Sequence, residues 1–202
     1  MPPDFSEYRL PRGRHGIPPE QVRANQRWRL LGSCAEVLAE RGYGALTLSA
    51  VIEAAAISKG TFYEHFEGLP ECLLATYEMA TANALAVTRE ACGPGSDPAA
   101  ALPVAVESVL GLFAAEPALA HVLTDMALED VPGLHAAREE FAHACASMLA
   151  AAGRGQVDPE RHRRLSLHRV RATKGWLASR MRAGAATSLP RKAPELTQLL
   201  TV

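Results

Sequence analysis

The stretch ISKGTFYEHF, residues 57–66, sets the reading of this chain. Phe62 and Phe66 are four apart and share one face of a short helix. Ser58 is placed to cap that helix, which the pattern runs from Lys59 to Phe66. Lys59, Gly60, Thr61, Tyr63 and Glu64 are then pushed to the other side and to the N-terminal end. A glycine inside a helix costs about 1 kcal/mol relative to alanine, so Gly60 implies that something approaches the backbone closely. A helix N-terminus offers free N–H groups and a positive dipole end. A lysine, a tyrosine hydroxyl and an imidazole all donate hydrogen bonds to phosphate oxygens. The wet face reads as a DNA-facing surface. The blander reading is that Tyr63 and His65 only cover a small core while Lys59 is solvated.

Upstream, TLSAVIEAAAIS forms a second short helix. Thr47 is its N-cap, and Leu48, Val51, Ile52 and Ala55 give a buried face. The two short helices meet around Ala56 in a helix-turn-helix pattern. A longer helix precedes them, from about Pro19 to Arg41, with Trp28, Leu31, Ala35 and Leu38 as its apolar stripe and Gly42 and Gly44 at its end. Leu38 and Val51 are placed to close a three-helix core with Phe62 and Phe66.

Residues 28–75, WRLLGSCAEVLAERGYGALTLSAVIEAAAISKGTFYEHFEGLPECLLA, resemble the DNA-binding domain of TetR-family transcriptional regulators. The matching features are Gly42-Tyr43 after the first helix, Thr47 opening the second, and Ser58 through Phe66 as the recognition helix. The resemblance implies that Thr47, Ser58, Lys59, Gly60, Thr61, Tyr63 and His65 face DNA. Lys59 and Thr61 are then the candidates for base edges, and Thr47, Tyr63 and His65 for phosphate. Two positions depart from the family pattern. Ala56 stands where a glycine is usual, and a negative φ with a modest shift of the turn is expected there. Leu69 stands where a phosphate-touching lysine is usual.

Residues 1–19 hold five prolines and read as a flexible arm. Arg14 lies in its PRGRHG segment, which resembles arms that enter the minor groove, the alternative being a disordered solubilising tail. The net charge of -1 conceals an asymmetry. Between residues 9 and 29, Arg9, Arg12, Arg14, Arg23, Arg27 and Arg29 face only Glu20, so an anionic partner would meet the N-terminal end first. From Glu67 to Glu140 two arginines face a dozen acids, and 154–182 is basic again.

The expected architecture is all-α: an arm (1–19), a helix-turn-helix domain (20–68) and a helical ligand-binding and dimerisation domain (69–202). Hydrophobic residues make up 48% of the chain but aromatics only 5%, so the core is built of Ala, Leu and Val, and β-branched runs are nearly absent. Further helices are expected to run from Pro70 to about Cys92 and over 98–115, 117–129, 132–152 and 159–184. A short one is expected near 193–201. In the 159–184 helix, Ala172, Gly175, Ser179 and Ala183 form a strip of small residues, which is expected to pack against a second copy together with 132–152. A contact within one chain is the alternative. Phe113, His121, Met126, Phe141 and Trp176 are candidate pocket residues, with ordinary core as the alternative for each, and Asp125, Glu129 and Asp130 either favour a cationic ligand or form a solvated rim.

Enzyme signatures are missing: there is no Gly-x-Ser-x-Gly elbow, no phosphate loop and no His-Glu-x-x-His. His162 and His168 are six apart and share no helix face, and the four cysteines have no zinc-ligand spacing. No catalytic residue, metal or cofactor is expected. The first residues lack the apolar segment of a signal peptide and no run approaches a membrane span, which leads to the expectation of a cytoplasmic protein. The function implied is a homodimeric repressor that binds a double-stranded DNA operator and answers to an unknown small-molecule effector. The rivals are a TetR-like protein with weakened DNA binding that acts through protein partners, or a small all-α enzyme.

Overall fold

The computed structural model describes residues 18–93, 97–125, 128, 131–152 and 159–201. Arg14, Met126, Glu129 and Asp130 lie outside these. The described residues are helical and contain no strand. The helices are α1 (Pro19–Arg41), α2 (Leu48–Ala55), α3 (Lys59–Tyr63), α4 (Leu69–Ala91), α5 (Pro98–Ala115), α6 (Pro117–Thr124), α7 (Leu134–Ala152), α8 (Pro159–Arg182) and α9 (Ala193–Thr201). Short 3₁₀ segments occupy Tyr43–Ala45 and Ala186–Lys192, and the latter has no counterpart in the sequence reading.

Four expected boundaries shorten, α7 among them, which begins at Leu134 just after Gly133 at φ 77°. α3 stops at Tyr63, because the backbone tightens at Glu64, whose N–H donates to both Gly60 and Thr61 carbonyls. α6 stops at Thr124, where Asp125 turns to an extended conformation. α8 ends at Arg182, ahead of Gly184 at φ 68°.

The N-terminal helices close one small core. Leu30, Leu38, Val51, Phe62 and Phe66 are each at most 2% exposed. Burying a side chain of this size contributes about 1.5–3 kcal/mol, so a five-residue helix such as α3 is held by Phe62 and the following Phe66, not by its own hydrogen bonds. α4 extends this core with Cys72 and Leu73 and continues into the second half. There it packs on α5, α6 and α7, while α8 packs on α7 and α9 closes against α5 and α8. At 1.5 Å per residue α4 is about 35 Å long, so one rigid element reaches from the first core into the second.

Candidate nucleic-acid interface and ligand cavity

The turn between α2 and α3 keeps its tight form without glycine. Ala56 sits at φ 49°, ψ 47°, in the left-handed region, which corrects the expectation of a negative φ. A left-handed alanine costs about 1–2 kcal/mol. The offsetting contacts are visible. Ala56 N–H donates to Glu53 and Ile57 N–H to Ile52. The Arg29 guanidinium, reaching over from α1, donates to the carbonyls of Ala55 and, at 3.1 Å, Ala56.

Arg29 is one of three arginines that the charge pattern assigned to an external anionic partner and that instead bond within the chain. Arg23 donates to the Glu64 carbonyl at 3.0 Å, and Arg27 to that of His65 at 3.4 Å, with its guanidinium 4.5 Å from the centre of the Phe66 ring. Carbonyls at a helix C-terminus lack intrahelical donors, and cations there complement the dipole. These arginines therefore fix α2 and α3 against α1. Nothing in local sequence separates such a cap from a DNA contact, because the partner carbonyls lie 26 to 41 positions away.

The outer face carries the rest. Thr47 caps α2, its hydroxyl accepting from Ala50 N–H at 3.2 Å. Ser58 caps α3, accepting from Thr61 N–H at 3.1 Å, and its Oγ lies 3.0 Å from Thr61 Oγ1. Thr47, Ser58, Lys59, Gly60 and Tyr63 are exposed and Thr61 is half-buried. The Tyr63 ring stands edge-on to Phe62, at 5.6 Å between centres, with half its surface (51%) in solvent. A Cβ on Gly60 would meet only Ser58 Oγ at 3.8 Å, so the fold itself does not require glycine there. His65 is placed differently from the others. It is half-buried, and its Nε2 lies 3.3 Å from Gln26 Oε1 on α1. Burial and the Arg23 and Arg27 charges lower its pKa, so it stands neutral at pH 7. Leu69, in place of the usual lysine, packs half-buried against the core as α4 begins.

The second half encloses a cavity of about 570 Å³, within the usual range for small-molecule sites. α4 lines it with Tyr77, Ala84, Thr88 and Cys92, and α5 with Leu102, Val106, Val109 and Phe113. Phe141, Arg138 and Glu139 enter from α7, and Arg171, Lys174 and Leu177 from α8. Of the expected pocket residues, Phe113 and Phe141 line it. His121 and Trp176 do not; Trp176 packs on the core edge and donates from Nε1 to Glu195 at 2.9 Å. Asp125 does not line the cavity, Glu129 and Asp130 lie outside the described residues, and three of the four fully charged side chains among the described lining residues are basic. The signal missed was on α7 and α8, where Arg138, Arg171 and Lys174 were counted only as net charge.

Ala172, Gly175 and Ser179 on α8 and Ala183 just past its end are all exposed, and a Cβ on Gly175 would touch nothing within 4 Å. Among the described residues no cluster of three or more His, Cys, Asp or Glu could hold a metal, and no single helix is long and apolar enough to cross a membrane.

The arrangement is a capped helix-turn-helix joined by one long helix to a cavity-bearing bundle. Residues 30–76 match the family model for bacterial regulatory proteins of the tetR family. That match covers about a quarter of the chain, and the whole chain shares its fold with solved transcriptional regulators. A TetR-like transcriptional regulator from Rhodococcus sp. RHA1 is similar over 95% of this chain and 96% of its own, at 20% identity and TM-score 0.66. The fatty acid degradation regulator FadR from Bacillus halodurans covers 85% and 96%, at 18% identity and TM-score 0.70. FadR from Bacillus subtilis, solved in complex with stearoyl-CoA, covers 86% and 96%, at 16% identity and TM-score 0.68. No curated protein matches the sequence.

Proposed function

We propose that this chain is a ligand-responsive transcriptional repressor, not an enzyme, that binds a double-stranded DNA operator as a cytoplasmic homodimer. The observation that carries the reading is the exposed face of Ser58, Lys59, Gly60 and Tyr63 on a helix whose opposite side is locked into the core. Lys59 and Thr61 read base edges; Thr47 and Tyr63 hold phosphate. His65, neutral and turned toward Gln26, positions the end of α3 more than it donates to DNA. Arg14 belongs to an arm, residues 1–19, that reaches the minor groove. The head spans residues 20–68 and the effector and dimerisation domain 69–202. The retained left-handed turn at Ala56 removes one of the two departures that favoured a weakened head.

The small-residue strip along and just past α8 supports the dimer, since its four members are exposed and a Cβ on Gly175 would meet nothing within 4 Å among the described residues. Two heads about 34–36 Å apart would enter successive major-groove faces. α4 supports the coupling: it lines the cavity at Tyr77, Ala84 and Thr88 and holds the head through Cys72 and Leu73. An effector that favours one placement of α4 shifts the separation of the heads. The stearoyl-CoA bound by the Bacillus subtilis protein supports an effector in a cavity of this fold.

Fluorescence anisotropy on DNA from upstream of the chain's own gene, against scrambled DNA over a range of salt, tests the reading. Sequence-preferring, salt-sensitive binding is expected, weakened about tenfold or more by Tyr63→Ala at unchanged thermal stability. Equal affinity for both DNAs, unaffected by the substitution, would sink it.

A further inference from the structure

The polar groups of the cavity are not spread evenly. Glu139, the one fully charged acid among the described lining residues, is already held by Arg171 at 2.7 Å. Arg138 projects from α7 toward the other side. One of its Nη groups donates to the Asp125 main-chain carbonyl at 2.6 Å, at the end of α6. Its guanidinium lies 5.9 Å from the centre of the Tyr77 ring. Its Nε is buried and has no hydrogen-bond partner among the described residues. Tyr77 is 3% exposed. Burial pushes its pKa up to about 12, against the pull of Arg138, so its hydroxyl keeps its proton and can donate. A guanidinium fork with a neighbouring phenol suits a carboxylate. Around it the walls are hydrocarbon: Leu102, Val109, Phe113, Phe141 and Leu149.

We propose that the cavity takes an apolar molecule with a single anionic head, of the medium- to long-chain carboxylate class, and that Arg138, with Tyr77 beside it, receives the head. This rests on the reading of the cavity as the effector site and names the chemistry of the effector. Arg138 sets the polarity of the ligand, and the walls of α4, α5 and α7 set its apolar body.

The test is calorimetric titration of the full chain with dodecanoate, dodecanol and dodecyltrimethylammonium, each below its aggregation concentration. Dodecanoate is expected to bind at least tenfold tighter than dodecanol, and the cation not at all. Arg138→Gln should abolish that preference while leaving dodecanol binding as it was. Should the variant fail to fold, the three probes on the unaltered chain still decide the head group. Equal binding of alcohol and carboxylate, a preference that survives Arg138→Gln, or no binding of any probe would each overturn the proposal. Dodecanoyl-coenzyme A separates the two sources of negative charge: affinity no tighter than that of dodecanoate supports the carboxylate, and tenfold tighter binding overturns it. Anisotropy on upstream DNA, run in parallel, separates this proposal from the regulatory one. Dodecanoate bound with no effect on specific DNA affinity supports the ligand class and removes the effector role. Specific DNA binding with no probe bound leaves the regulator and overturns the ligand class.

Discussion

The head and the bundle below it solve opposite packing problems. In the head, Leu30, Leu38, Val51, Phe62 and Phe66 are almost fully buried, and the arginines of α1 supply donors to the carbonyl ends of α2 and α3. In the bundle, α4, α5, α7 and α8 stand apart around a cavity of about 570 Å³, and Arg138 Nε is buried without an acceptor among the described residues. A rigid unit that must present Lys59, Thr61 and Tyr63 in one geometry needs its polar accounts closed internally. A unit that receives a ligand keeps both apolar area and donors in reserve.

The largest test of this contrast is a pair of truncations. Leu38→Ala, at a side chain 2% exposed in the head, is expected to cost about 2–5 kcal/mol, because little can collapse into the space. Leu102→Ala, half-buried on the cavity wall, should cost less than about 2 kcal/mol. Denaturant melts that give equal losses would break the comparison. Arg29→Met comes next. Losing a charged donor to the Ala55 and Ala56 carbonyls is expected to cost about 2 kcal/mol, and the loss should not depend on salt as a DNA contact would. Ala56→Gly acts in the other direction. Releasing the left-handed alanine should stabilise the head by about 0.5–1 kcal/mol, seen as a higher melting midpoint with specific DNA affinity unchanged.

The smallest effect is on pH. His65 has a lowered pKa in the folded chain, chiefly from burial, then from Arg23 and Arg27. The unfolded chain therefore binds the proton more readily. Stability is complete above the ordinary histidine value of about 6.5 and falls as pH drops below it. Melting between pH 7.5 and 5.5 should show that decline, and His65→Gln should flatten it. A pH profile that is identical in the variant would remove His65 from the packing of α3 on α1.

The head was legible in sequence because its signals are local. Phe62 and Phe66 at four-residue spacing, Thr47 and Ser58 as caps, and Gly42 after α1 each act within one or two turns. Helix identity in the second half was legible for the same reason, with Pro98, Pro117 and Pro159 marking starts. The ends of α3 and α6 were not, since they depend on hydrogen bonds and turns beyond the periodic apolar pattern. Pocket residues were misjudged at His121 and Trp176 because apolar and aromatic character does not say which side of a helix meets a void.

By itself the sequence determined an all-α chain with a helix-turn-helix head whose outer face is polar and whose inner face is aromatic. These follow from periodicity and caps, which are properties of neighbouring residues. Only the tertiary structure decided that Arg23, Arg27 and Arg29 turn inward, that Ala56 holds a left-handed turn, and that Arg138 meets Tyr77 beside the cavity. Each of those depends on groups brought together from distant positions, and a charge or a methyl group carries no record of its partner until the chain has folded.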